Sequence, residues 1–238
     1  MNFSEKIVLV TGGTGGLGRE VTMAFLEAGA TVVVTYRAAE EFEAVVSAAL
    51  KIGAAPPVGV SVDVTDAQAV EKFVAEIVAR HKRLDILVNT VGAYAGGTNL
   101  WEADSRTYDK MMQLNLNAGF VLARTVVPQM IKQNRGWIVN IASKAAWDHA
   151  AGGGLYAASK AAALAMMDSL AADVKPFNIN VNSVLPSIID TAVNRAAMPK
   201  ADFSKWPKPE EIARVILFLC SEDARVIHGA AIPVFGRS

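Results

Sequence analysis

The residues best equipped for chemistry stand in three short stretches: Tyr156-Ala157-Ala158-Ser159-Lys160, Ser143 thirteen residues before the tyrosine, and the run Thr11-Gly12-Gly13-Thr14-Gly15-Gly16-Leu17-Gly18. A tyrosine and a lysine four apart share one helix face, so an ammonium there would hold the phenol in a more acidic state, as proton transfer near neutral pH requires. Glycines at this spacing permit a tight turn and close backbone approach, and a helix opening directly after them offers unpaired N–H groups to a pyrophosphate. Together the stretches point to a redox site in which a dinucleotide lies beside a phenol.

The elements that must position these residues follow from periodicity. Short β-branched runs at Ile7 to Thr11, Thr31 to Tyr36, Val58 to Val62, Ile86 to Asn89, Trp137 to Ile141, Ile179 to Val184 and Ala231 to Val234 read as strands. Between them Gly16 to Ala28, Glu40 to Lys51, Ala67 to His81, Ser105 to Lys132, Leu155 to Val174 and Pro209 to Leu219 carry helical period. The alternation predicts an α/β fold: one domain over residues 1–238 with a doubly wound, parallel, seven-stranded sheet of the Rossmann type, and ligands at the carboxyl ends of the strands. The longest irregular stretch, Pro186 to Lys208, carries Met198, Phe203 and Trp206 and reads as a substrate lid of about residues 186–208.

Composition excludes several classes of function. The chain has 238 residues, enough for one well-buried core. Hydrophobic residues make up 52 %, yet charged residues interrupt every apolar stretch before the ~18 residues of a membrane span. Met1 to Lys6 lead straight into the apolar run Ile7 to Val10 without the pattern of a secretory signal, so a cytoplasmic location is expected. With 23 basic and 23 acidic residues there is no excess charge to draw a nucleic acid or an anionic membrane. His81, His149 and His228 are scattered and predict no metal centre; the single Cys220 lies in an apolar stretch as a buried side chain. Asp148 and His149 read as a solvated loop, while Tyr94, Trp147 and Trp206 are candidates to wall an aromatic pocket.

Within the glycine run the candidate cofactor contacts are Thr11, Gly12, Thr14, Gly16, Leu17 and Gly18. A carboxylate at the end of the second strand accepts hydrogen bonds from the ribose hydroxyls of NAD; here Tyr36 and Arg37 stand instead, and Arg37 suits a 2′-phosphate. NADP(H) is therefore the preferred cofactor and NAD(H) the alternative, although Gly15 supplies no second basic group. Asp63, followed by Val64, closes the third strand and reads either as an acceptor for the adenine amino group or as the N-cap of the helix beginning near Asp66.

These motifs, in this order, resemble the short-chain dehydrogenase/reductase family, and the resemblance runs from Lys6 to Gly236. It implies that Tyr156 is the general acid in carbonyl reduction or the base in the reverse direction, and that Ser143 hydrogen-bonds the substrate oxygen. By the same resemblance Lys160 holds the nicotinamide ribose and lowers the phenol pKa, and Asn115 distorts its helix and binds a water in a proton relay. Pro186, Ile189 and Thr191 fit positions near the nicotinamide; Asn89 and Gly92 survive from the family's Asn-Asn-Ala-Gly, which reads Asn89-Thr90-Val91-Gly92 here. The usual Pro-Gly is Pro186-Ser187, which removes a residue free to take positive φ. The family's helices at Asn115 and Tyr156 commonly pair between subunits, implying a homo-oligomer, tetramer or dimer. Gly92-Ala93-Tyr94-Ala95-Gly96-Gly97 and Asp190 to Arg195 also resemble dihydropteridine reductases, so reduction of a quinonoid pterin is the alternative to a carbonyl/alcohol small-molecule substrate. A non-catalytic NAD(P)-binding sensor is a third reading, disfavoured by the presence of both Tyr156 and Lys160.

Overall fold

Strand β1 (Ile7–Thr11) is buried along its whole length, the pattern of a strand covered on both faces. The computed structural model describes all of residues 1–238. Six further strands lie parallel to β1: β2 (Thr31–Tyr36), β3 (Val58–Ser61), β4 (Ile86–Asn89), β5 (Gly136–Ile141), β6 (Ile179–Pro186) and β7 (Ala231–Val234). Their order is β3-β2-β1-β4-β5-β6-β7, so the winding reverses between β1 and β4 and leaves a crevice at their carboxyl ends.

Helices cover both faces. Against one, α1 (Gly18–Glu27), α2 (Ala39–Lys51) and α8 (Pro209–Leu219) bury Val21, Phe25, Val45, Ile212 and Ile216. Against the other, α3 (Ala67–His81), α5 (Ala118–Gln133) and α6 (Gly154–Val174) bury Phe73, Leu122, Val126 and Met167. None of the helices is long and apolar enough to cross a membrane.

Several elements begin or end one or two residues from the sequence expectation, and three differences bear on the site. The single helix expected over Ser105 to Lys132 is divided into α4 (Ser105–Met112) and α5 by a π turn at Gln113–Asn117. The Asn115 side chain is turned to bond the Ala93 backbone in both directions there, and widened π turns commonly mark functional positions. Residues 186–208 are less irregular than expected, because Thr191 accepts from the Asn194 N–H at 3.2 Å and starts the short helix α7 (Ala192–Ala197), too brief to show a sequence period. Strand β6 continues two residues past Val184, since Leu185 and Pro186 pair with Pro233 and Val234.

Candidate active site

The turn after β1 is built on glycine for steric reasons. Gly12 takes φ +68°, and a Cβ on Gly18 would stand 2.0 Å from the Gly12 carbonyl oxygen, so α1 can sit on the turn only without side chains. Outside the turn lies a cavity of about 240 Å³ bordered by Gly12, Thr14, Tyr36, Arg37, Val64 and Gly92. A cradle without side chains beside a helix N-terminus fits a dinucleotide pyrophosphate. Leu17 and Gly18 are buried beneath it, while Gly16 faces the segment after β6: a Cβ there would meet the Thr191 methyl at 3.0 Å.

Not every expected contact faces the cavity. The Thr11 hydroxyl donates to Asn89 Oδ1 at 2.8 Å, and Asn89 Nδ2 donates to Asn140 Oδ1 at 3.0 Å, so Thr11 and Asn89 are spent tying three adjacent strands together. Register mates continue this polar row to Ser183 on β6. Thr90, a departure from the family pattern, donates to the Thr11 carbonyl at 2.7 Å and anchors the β4 loop to the glycine turn.

On the other side of Gly92 the chemistry-bearing side chains converge. A Cβ on Gly92 would meet Asn115 Oδ1 at 2.8 Å and Lys160 Nζ at 3.0 Å, so that glycine opens the space both occupy. Asn115 Nδ2 also donates to Ser159 Oγ at 2.9 Å, joining the π turn to α6. Lys160 is buried, donates to the Ile141 carbonyl at 2.9 Å and has no carboxylate partner; burial lowers its pKa to about 8. Ser143 follows β5, its hydroxyl accepting from the Ala145 N–H at 3.1 Å.

The four-residue spacing predicts that Lys160 makes the Tyr156 phenol more acidic; in this structure the phenol is shifted the other way. Burial raises its pKa, the neighbouring Ser143 hydroxyl offsets part of the rise, and Tyr94 adds to it. The physical reason is that the Lys160 ammonium is directed to the Ile141 carbonyl, while apolar surroundings disfavour a phenolate.

At the outer edge of the glycine-turn cavity Arg37 lies 3.6 Å from Asp63, both side chains being more than half exposed. Asp63 is not the helix cap: it accepts from the Thr65 N–H and hydroxyl at 2.9 and 2.8 Å, and Asp66 caps α3 instead. Tyr36 stacks on Phe42 with ring centres 4.7 Å apart. Sequence reasoning missed Glu41, which lines the same cavity and accepts from the Thr14 hydroxyl at 2.9 Å; its only signal was a carboxylate in the first turn of α2.

The segment after β6 has no left-handed backbone at Ser187, whose hydroxyl donates to the Phe235 carbonyl at 2.8 Å. Ile189 packs on the core, and Pro186 is the buried last residue of β6. The three aromatic residues do not form one wall. Tyr94 meets Tyr156 edge to face at 5.0 Å, Trp147 meets Phe235 at 6.4 Å, and Trp206 is buried against Phe203. Each ring found a nearer partner in its own segment or in the chain folded over it.

A parallel sheet that reverses its winding beside a glycine cradle defines a dinucleotide-binding α/β protein. Comparison with known proteins narrows the class: the family model described as short chain dehydrogenase matches residues 6–202. A 3-oxoacyl-[acyl-carrier-protein] reductase FabG of Thermotoga maritima is 32 % identical over 99 % of this chain and 98 % of its own. An NAD-dependent glycerol dehydrogenase of Listeria innocua is 35 % identical over 99 % and 94 %. The solved structure of ElxO with NADP bound superposes with a TM-score of 0.89 at 27 % identity, covering 97 % of each chain. The chain belongs to the short-chain dehydrogenase family and is an NAD(P)-binding oxidoreductase of CH–OH and C=O groups.

Proposed function

We propose that this protein interconverts a small-molecule carbonyl and its alcohol, with Tyr156 moving the proton and NADP(H) the favoured cofactor. The observation that carries the reading is Lys160: an ammonium buried without a counter-ion is costly and is retained where its charge is used. With its pyrophosphate in the glycine cradle, the dinucleotide would supply or accept the hydride through its nicotinamide. The chain's own groups manage the oxygen. Ser143 offers its hydroxyl to the substrate oxygen, and Tyr156 donates its phenolic proton to that atom in reduction. A phenol held protonated by burial suits the donor role, and Lys160, cationic below about pH 8, stabilises the phenolate that donation leaves behind.

Asn115 fixes the Ala93 loop and, through Ser159, the face of α6 that carries Tyr156 and Lys160. The preference for NADP(H) rests on Arg37, which would exchange the exposed Asp63 for a 2′-phosphate. Residues 186–208 act as the lid, and the chain works as a homo-oligomer. The test is a titration with NADPH and NADH followed by nicotinamide fluorescence, with Tyr156→Phe and Arg37→Ala alongside. Saturable NADPH binding weakened by Arg37→Ala, with reduction of small ketones lost in Tyr156→Phe, supports the assignment. Full turnover by Tyr156→Phe sinks the proton donor.

A further inference from the structure

Arg37 is not the only charged side chain at the adenosine end. In proteins of this architecture a carboxylate after the second strand reads the ribose, accepting from its hydroxyls and repelling a 2′-phosphate. Here β2 ends on Tyr36, whose ring is turned onto Phe42, and on Arg37. A carboxylate nevertheless lines the cavity: Glu41, from the first turn of α2. It is held in place, since the Thr14 hydroxyl in the glycine turn donates to Glu41 Oε2 at 2.9 Å. The opposing cation is already partly compensated, because Arg37 lies 3.6 Å from Asp63. Arg37 is thus outnumbered by the carboxylates of Glu41 and Asp63 before any ligand arrives.

Resting on the reading of this cavity as the cofactor site, we propose that Glu41 is a second residue that discriminates between the two nicotinamide cofactors, opposing a 2′-phosphate and restraining the NADP(H) preference that Arg37 confers. A 2′-phosphate carries about −1.5 to −2 charges near neutral pH. Entering a cavity lined by Arg37 and Glu41, it gains one attraction and meets one repulsion. The ribose of NAD brings hydroxyl donors instead, which a carboxylate accepts without penalty. Thr14 is the anchor in this arrangement: by holding Glu41 against the glycine turn it keeps the charge at the cavity.

The experiment measures dissociation constants of NADPH and NADH for the full-length protein and for Glu41→Gln, Thr14→Val and Arg37→Ala, at low and high ionic strength. Glu41→Gln keeps the side-chain shape and an acceptor for Thr14 but removes the charge. The expected result is a rise of about tenfold in the preference for NADPH over NADH, shrinking at high salt as the repulsion is screened. Thr14→Val is expected to shift the preference in the same direction by a smaller factor, and Arg37→Ala in the opposite direction. A preference unchanged within about twofold in Glu41→Gln overturns the proposal, as does an equal loss of both cofactors, which would make Glu41 a structural tie. Binding of neither cofactor to the unaltered protein is a different failure: it sinks the cofactor reading of the cavity, and this inference with it.

Discussion

At the amino ends of β1 and β4 the buried Asp85 carboxylate takes the Ile7 N–H at 2.9 Å and meets the Arg83 guanidinium with both oxygens. Beside it Trp137 lies between Lys6 and Arg135, 5.0 and 5.2 Å from the ring centre. At the carboxyl ends of the same strands polar side chains are also buried, but their capacity is incompletely used. The row from Thr11 through Asn89 and Asn140 ends with Asn140 Nδ2 and Ser183 Oγ lacking a partner within the protein, and Lys160 has one carbonyl and no counter-ion. Asp85 satisfies the backbone at the entrance of the sheet, where the Trp137 Nε1–H alone stays without a partner, whereas the exit leaves Asn140 Nδ2, Ser183 Oγ and an ammonium without a counter-ion. The difference teaches where stability has been given up: a buried charge is paired at the entrance, as Asp85 is with Arg83, and left without a counter-ion only at the end where the proposed chemistry would use it.

The largest effect should come from the exit end and touch activity alone. Tyr156→Phe removes one hydroxyl and should lower turnover by about 10² to 10⁴-fold, the range for losing a positioned proton donor. Its melting temperature and cofactor affinity should match those of the unaltered protein. A loss of stability as large as the loss of activity would mean that the phenol belongs to the scaffold, and the contrast between the ends would fail.

Lys160 sharpens the contrast because it links site and stability in one group. Its folded-state pKa of about 8 lies below the 10.5 of the free side chain, so between those values the unfolded chain binds the more protons. Stability therefore rises with pH across that window, and below about pH 8 the buried ammonium exerts its full cost, about 3 kcal/mol. Lys160→Met should melt higher than the unaltered protein at pH 7, and the gap should close as pH rises towards 10.5. Reduction should also decline in the unaltered protein as pH rises through about 8, where the cation is lost. Denaturation curves across this range check the first expectation, and pH profiles of kcat/KM for the cofactor check the second.

What was legible in the sequence divides along the same line. Strands β1, β2, β4 and β7 and helices α3 and α8 have the boundaries their patterns announced, because apolar period and turn residues are local signals. The glycine turn and the α6 pair were legible for a similar reason: their chemistry depends on spacing within one segment. The polar row was not, since Thr11, Asn89, Asn140 and Ser183 come together only through the registers of β1 with β4, β4 with β5 and β5 with β6. Neither was Glu41, whose meaning comes from Thr14, 27 residues away. The direction of the Tyr156 shift was missed because a helical spacing shows which groups share a face but not that Lys160 turns to the Ile141 carbonyl.

At the entrance end the signature should be reversed. Asp85→Ala strands the Ile7 N–H inside the sheet and leaves Arg83 without its partner, for a loss of about 2 kcal/mol. Cofactor affinity and turnover of the folded fraction should stay within about twofold, because nothing at that end faces the glycine cradle. Urea denaturation together with a fluorescence titration at a temperature where the variant remains folded checks both parts. A change in affinity comparable to that of a site variant would show the strands transmitting strain from end to end.

Ser183→Ala is the smallest and most discriminating change. The Ser183 hydroxyl is buried, and no protein group bonds it. Desolvating a hydroxyl without a partner is unfavourable, so its removal should leave stability unchanged or raise it by up to about 1 kcal/mol, offset by the small void left behind. Asp85→Ala and Ser183→Ala each delete a buried polar group from the same sheet, so their difference isolates whether that group was satisfied. If Ser183→Ala instead costs about 2 kcal/mol, the exit row is bonded as firmly as the entrance cluster. In that case Lys160 alone, rather than the whole carboxyl end, would carry the stability given up for chemistry.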